Sequence, residues 1–139
     1  ALKRDASEIL KTQNVKTEEN IHVMREMKDM VPKLREVISR GEKIHEFGEI
    51  LHEGWLKKKS LTSLISSDQI DIYYGKAQKN GAIGGKLLGA GGGGFLLFYV
   101  EKQNQIAVAK VLSDLYPLKF RFDSGGSRIS YYDQPFVEV

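Results

Sequence analysis

The sequence predicts an α+β domain, with helices packed on a small, mostly antiparallel sheet. Three observations carry this. Apolar residues recur at three- and four-residue spacing through most of the first 80 positions, the period of helices with one buried face. Phe95–Val100 is a run of six apolar or aromatic residues without a charge, which reads as a buried strand. Just before it, eight of the nineteen residues of Gly81–Tyr99 are glycine, and Gly91 to Gly94 are consecutive. With the short extended Lys86-Leu87-Leu88 ahead of the glycines, the layout is strand, glycine loop, strand.

The elements follow in order. Ala1–Asn14 places Leu2, Ala6, Ile9 and Leu10 at helical spacing. Thr17 suits an N-cap, and Glu18 and Glu19 suit the first turn of a second helix. Its apolar face is Ile21, Met24, Met27, Val31, Leu34 and Ile38, and Pro32 within it predicts a kink or break. Gly41 is a natural stop. A third helix over Glu42–Lys58 presents Ile44, Phe47, Leu51 and Trp55 on one face. Gly48 and Gly54 weaken it, which points to close packing or a neighbouring ligand. Ser66 or Ser67 caps a fourth helix, Asp68–Asn80, with Ile70, Tyr73, Tyr74 and Ala77 inward.

After the glycine loop and its strands, a fifth helix over Gln103–Leu115 is expected to bury Ile106, Ala109, Leu112 and Leu115 before Pro117 breaks it. Leu118, Phe120 and Phe122 alternate with Lys119 and Arg121, a strand pattern. A further strand is expected at Arg128–Tyr132, ahead of a loose tail. No repeat or linker divides the chain, so residues 1–139 read as one domain.

Hydrophobic residues make up 41% of the chain and charged residues 28%, values of a soluble globular domain. The net charge of +3 suits anionic small molecules but is too weak to argue for nucleic acid, and no nucleic-acid signature accompanies it. There is no cysteine, which excludes disulfides and thiolate metal sites and fits a reducing, cytoplasmic setting. No apolar run reaches membrane-spanning length, so no membrane partner is expected.

Four consecutive glycines exceed what a tight hairpin needs. Converging bare amides would form an anion-binding concavity. Two familiar phosphate loops fail here. A Walker loop requires Lys then Ser or Thr, whereas Lys86 is followed by Leu87. Gly89 to Gly94 matches G-x-G-x-x-G, but that fingerprint opens a helix, and here a strand follows. A protein-kinase loop does join strands, yet the H-R-D and D-F-G segments are absent.

Gly84-Gly85-Lys86-Leu87-Leu88-Gly89-Ala90-Gly91-Gly92-Gly93-Gly94-Phe95 resembles the third conserved motif of the GHMP kinases, often G-A-K-x-T-G-A-G-G-G-G. Leu88 stands where many members carry threonine, so a hydroxyl near the loop is missing. The flanking Leu51-His52-Glu53-Gly54-Trp55, Lys57-Lys58-Lys59 and Phe120-Arg121-Phe122-Asp123 are similar to the sugar-kinase branch acting on heptose 7-phosphate. The resemblance implies a ferredoxin-like carboxyl-terminal domain whose amino-terminal partner domain is not in this chain. It also implies phosphoryl transfer from ATP to a sugar phosphate, with Mg2+ and ATP bound mainly by that other half. Gly89, Ala90, Gly91, Gly92, Gly93 and Gly94 would then lie beside the nucleotide phosphates and sugar. No catalytic residue is assigned to this chain, which alone is expected to be inactive and to self-associate through the face left uncovered. The rival reading is a stand-alone ferredoxin-like regulatory or interaction module that binds a small metabolite without catalysis.

Several side chains carry two readings. Lys86 either faces a phosphate or is a solvated strand residue. Arg128, after a Gly-Gly turn, raises the same question. His45, Glu49 and His52 share a helix face, but H-E-x-x-H is not formed, and a mixed polar face is the simpler account, so no metal is assigned. The resemblance makes His52 and Trp55 candidates for sugar contact, whereas a lone Trp is more often core. Lys57-Lys58-Lys59 reads most simply as a solvated helix end facing the negative dipole terminus, with sugar-phosphate binding as the sharper option.

Overall fold

A computed structural model describes residues 17–122 together with Ser7, Gly125, Gly126 and Arg128. Its elements are α1 (Thr17–Arg40), α2 (His45–Ser60), α3 (Asp68–Lys79), β1 (Ala82–Leu88), β2 (Phe95–Val100), a 3-10 turn (Lys102–Asn104) and α4 (Gln105–Val111). The class is α+β. The strands pair antiparallel, with Gly84 opposite Tyr99, Lys86 opposite Leu97 and Leu88 opposite Phe95, and one irregularity between Ala82 and Gly84.

Helix α2 crosses β1 where both carry glycine. A Cβ on Gly84 would overlap the Gly48 carbonyl oxygen, and one on Gly48 would lie 2.7 Å from the Tyr99 ring and 2.9 Å from Ile83. The two glycines that cost helix and strand propensity thus let backbone meet backbone. On its other side α2 receives α1, and Gly54 lies against Met30 there. Met30 and Val37 are the buried anchors of α1.

The main core joins Trp55, Leu61, Ile65, Ile70, Tyr74 and Leu87, with Leu96 and Phe98 packed against it. A smaller cluster of Ala77, Ala82 and Val108 seats α4. Tyr74 is central: its ring lies 5.4 Å from Phe98 and 6.1 Å from Trp55. Its hydroxyl sits 3.3 Å from the Gly85 carbonyl and 2.8 Å from His52 Nδ1. Burial pushes the phenol up to about 12.

Several expectations hold. Ser67 caps α3, accepting from the Ile70 amide at 3.4 Å. Gly41 ends α1 with φ 67°. Others are corrected. Pro32 does not divide α1, which runs unbroken from Thr17 to Arg40. Met30 and Val37 bury on either side of it, and tertiary packing outweighs the lost bond. The third predicted helix begins at His45, because Gly41 and Lys43 both adopt positive φ. Helix α4 is shorter than expected and buries Val108, while Ile106 is 84% exposed. Leu118–Phe122 forms no strand: all five residues are exposed, and the Phe120 and Phe122 rings meet each other at 5.5 Å. The predicted helix at 1–14, apart from Ser7, and the predicted strand at 128–132, apart from Arg128, lie outside the described residues.

Two predictions follow from this packing. Gly84→Ala must push α2 off β1 and is expected to cost about 3 kcal/mol or more. Gly75→Ala, where an added Cβ meets nothing within 4 Å, is expected to stabilise α3 by up to ~1 kcal/mol. Denaturant midpoints check both, and equal stability of the two variants would remove the crossing as a constraint.

The Tyr74 phenol titrates near 10.0 when unfolded and about 12 when folded. Its contribution to stability is therefore complete below pH 10 and is lost as pH rises from there toward 12, because only the unfolded chain releases the proton in that window. Tyr74→Phe should flatten this fall in a comparison of stability at about pH 9 and about pH 11. An unchanged slope in the variant would show that the phenol does not titrate late.

Candidate functional site

The six residues 89–94 join β1 to β2 and lie over the turn between α2 and α3. Two glycines set how closely. Gly92 has φ 68° and donates its amide to the Ile65 carbonyl at 3.0 Å. Gly91 has φ 134°, and a Cβ there would come within 2.8 Å of the Ile65 Cα. The loop is therefore pinned at its middle to a fully buried core residue. The amides of Ala90, Gly91 and Gly93 find no partner among the described residues, and each of the three residues is only half-buried.

A third attachment comes from α2. Lys58 Nζ donates to the Gly89 carbonyl at 2.7 Å. The three successive lysines fan out around the helix, so each meets something different. Lys57 pairs with Glu26 at 2.6 Å and Glu53 at 3.4 Å. Lys59 pairs with Asp71 at 2.9 Å. Among the described residues Lys58 has no carboxylate partner. Its ammonium is held below the usual lysine range, first by burial and then by the like charge of Lys86. Lys86 is half-buried on β1, two residues beyond Gly84 and so on the same side of the strand as that glycine.

The sequence-derived candidates therefore separate. Residues 89–94 and Lys86 come together, and Lys58 joins them. Sequence reasoning treated the lysine run as a unit, and nothing in Lys57-Lys58-Lys59 indicates which one faces the loop. Trp55 is 1% exposed and belongs to the core, packed among Tyr74 and Leu87, with its buried Nε1 finding no partner among the described residues. His52 is half-buried and engaged by Tyr74 and by Gln78 Nε2 at 3.3 Å. Arg128 is exposed. Among the described residues no three His, Asp or Glu side chains converge as a metal site. A neighbouring shallow cavity of about 300 Å³ is lined by Lys59, Ser66, Ser67, Asp68 and Asp71. Its lysine is neutralised by Asp71, which also accepts from Ser66 at 2.9 Å, so it offers little to an anion.

This arrangement, unpaired amides beside two cations without acidic partners among the described residues, suits the binding of an anionic oxygen group. No described helix is long and apolar enough to cross a membrane.

Comparison with known proteins agrees with the fold. Residues 30–118 match the family "GHMP kinases C terminal". The chain is 32% identical over 95 residues to D-glycero-alpha-D-manno-heptose 7-phosphate kinase of Campylobacter jejuni, covering 68% of this chain and 28% of that protein. It is 31% identical over 113 residues to L-fucokinase/L-fucose-1-P guanylyltransferase of Bacteroides fragilis, covering 80% of this chain and 12% of that one. It therefore spans well under a third of each relative.

Among solved structures, L. major mevalonate kinase in complex with R-mevalonate shares the fold with a TM-score of 0.67 at 16% identity, over 81% of this chain and 35% of the other. Mevalonate kinase of Staphylococcus aureus MRSA252 aligns with a TM-score of 0.55 at 28% identity, over 68% of this chain and 32% of the other. With the family match spanning most of the residues from α1 to beyond α4, the chain belongs to the GHMP kinases, of which it carries the C-terminal domain.

Proposed function

We propose that this domain is the carboxyl-terminal half of an ATP-dependent sugar kinase, with a heptose 7-phosphate as acceptor. The glycine loop would line the cleft shared by the nucleotide phosphates and the sugar. The observation that carries this reading is the loop itself: open amides at Ala90, Gly91 and Gly93, pinned by Ile65 and flanked by Lys58 and Lys86. The identity to the Campylobacter jejuni heptose kinase supports the choice of acceptor.

Phosphoryl transfer depends mainly on positioning and on stabilising charge as it spreads over the transferred oxygens. This chain's contribution is of that kind. Amides held at fixed positions need no reorganisation as charge develops. The pin at Gly92 and the Lys58 tether keep those amides in place. The donor set fits a single phosphate group, and Mg2+, which neutralises phosphate charge when bound, is expected to be held mainly by the amino-terminal half, as is any general base. Exposed Ile106, Tyr116 and Phe122 supply apolar surface for that other half or for self-association.

ADP release by the full-length enzyme, assayed with a heptose 7-phosphate, L-fucose and mevalonate, tests the proposal. Turnover with the heptose 7-phosphate is expected to exceed the others by at least about tenfold in kcat/KM. A preference for L-fucose would move the assignment to another sugar. Absence of ATP-dependent turnover with all three would favour a metabolite-binding module.

The loop's own role is read from a pair of variants. Gly93 lies outside the positive-φ region, so Gly93→Ala is compatible with its backbone and should lower kcat/KM by about tenfold or more with little loss of stability. Gly91→Ala meets Ile65 and should instead destabilise by roughly 2 kcal/mol or more. Thermal melts and kinetics separate the two, and normal kinetics for Gly93→Ala would take the loop out of the active site.

A further inference from the structure

We propose that Lys58 and Lys86 together form, with the open amides of the glycine loop, a binding site for a phosphomonoester dianion. The proposal deepens the reading of the loop as phosphate-proximal and rests on it.

The geometry has three parts. Lys58 reaches the loop from α2 and holds the Gly89 carbonyl at 2.7 Å. That bond uses one of its three ammonium hydrogens and leaves two for a ligand. It also ties down the Gly89 oxygen, whose negative end would otherwise be free to turn toward an anion. Lys86 lies half-buried on β1, three residues before Gly89, close enough for its charge to act on Lys58. The open amides of Ala90, Gly91 and Gly93 complete the donor set.

Charge balance favours an anion over any neutral ligand. The neighbouring lysines are neutralised, Lys57 by Glu26 and Glu53 and Lys59 by Asp71. Lys58 and Lys86 have no acidic partner among the described residues, and the charge of Lys86 bears on Lys58. Two like charges held near each other are relieved by an oxyanion between them. A loop of six residues with donors on a few amides matches one tetrahedral group rather than a polyanion. The group could arrive on the acceptor's own phosphate or as the terminal phosphate of the nucleotide, and the two share the same recognition chemistry.

The test is titration of the full-length protein with inorganic phosphate by calorimetry at low ionic strength. Lys58→Gln and Lys86→Gln are each expected to weaken phosphate binding about tenfold. Lys58→Arg and Lys86→Arg should stay within about threefold of the parent, and Lys110→Gln, on the exposed side of α4, should bind as the parent does. In the parent protein, phosphate should also protect Lys58 and Lys86, but not Lys110, from amine acylation mapped by mass spectrometry. This arm needs no variant to fold.

Steady-state kinetics then identify the source. A raised KM for the sugar phosphate assigns the acceptor's phosphate, and a raised KM for ATP assigns the nucleotide's. Phosphate binding and lysine protection in a protein without kinase turnover would keep this site and remove the kinase reading. Kinase turnover with no lysine protection, and with both KM values indifferent to Lys58→Gln and Lys86→Gln, would keep the kinase and overturn this site.

Discussion

The contact of Gly48 with Gly84 is the constraint on which the rest of this domain depends. Backbone meets backbone there, so α2 lies closer to β1 than any side chain would permit. From that crossing the position of everything downstream on α2 is set. Trp55, two turns beyond Gly48, enters the core beside Leu87, and Lys58 emerges at the height of Gly89. Moving α2 outward by the width of a methyl group would pull Lys58 from the loop and open the core at Trp55. The two glycines that weaken helix and strand locally are thus what brings the candidate site together.

The loop illustrates how a glycine run can be rigid. Freedom in the unfolded chain is greatest for glycine, but here contacts hold the run at its start and at its middle. Gly92 is bonded to Ile65, Gly91 lies against the same residue, and Lys58 holds Gly89. Ile65 is itself fully buried, so the core stabilises the loop directly. The result is a set of amides whose orientation is settled before any ligand arrives, which is the condition for useful electrostatic stabilisation.

His52 and Trp55 show how core and site are separated by a single helical turn. The family resemblance makes both candidates for sugar contact, whereas a lone Trp is more often core. In the fold, the Trp55 ring fills the space between α2, α3 and β1, and His52 is held by the Tyr74 hydroxyl. These contacts tie α2 to α3. Lys58, three residues beyond Trp55, lies instead on the loop side and bonds the Gly89 carbonyl.

What was legible in the sequence was what depends on neighbours along the chain. Helical spacing located α1, α2 and α3, the Ser67 cap marked where α3 begins, and the density of glycine marked the loop, because caps, periodicity and φ preferences are local. What only the tertiary structure decided depends on partners distant in sequence. Burial of Met30 and Val37 carries α1 through Pro32, the seat formed by Ala77 and Ala82 selects Val108 rather than Ile106 as the inner face of α4, and the alternating pattern of Leu118–Phe122 forms no strand. The choice of Lys58 among three identical neighbours belongs to the same class. A helix turns about 100° per residue, so which lysine meets the loop is fixed by how α2 is seated on β1, through two glycines 36 positions apart in the chain.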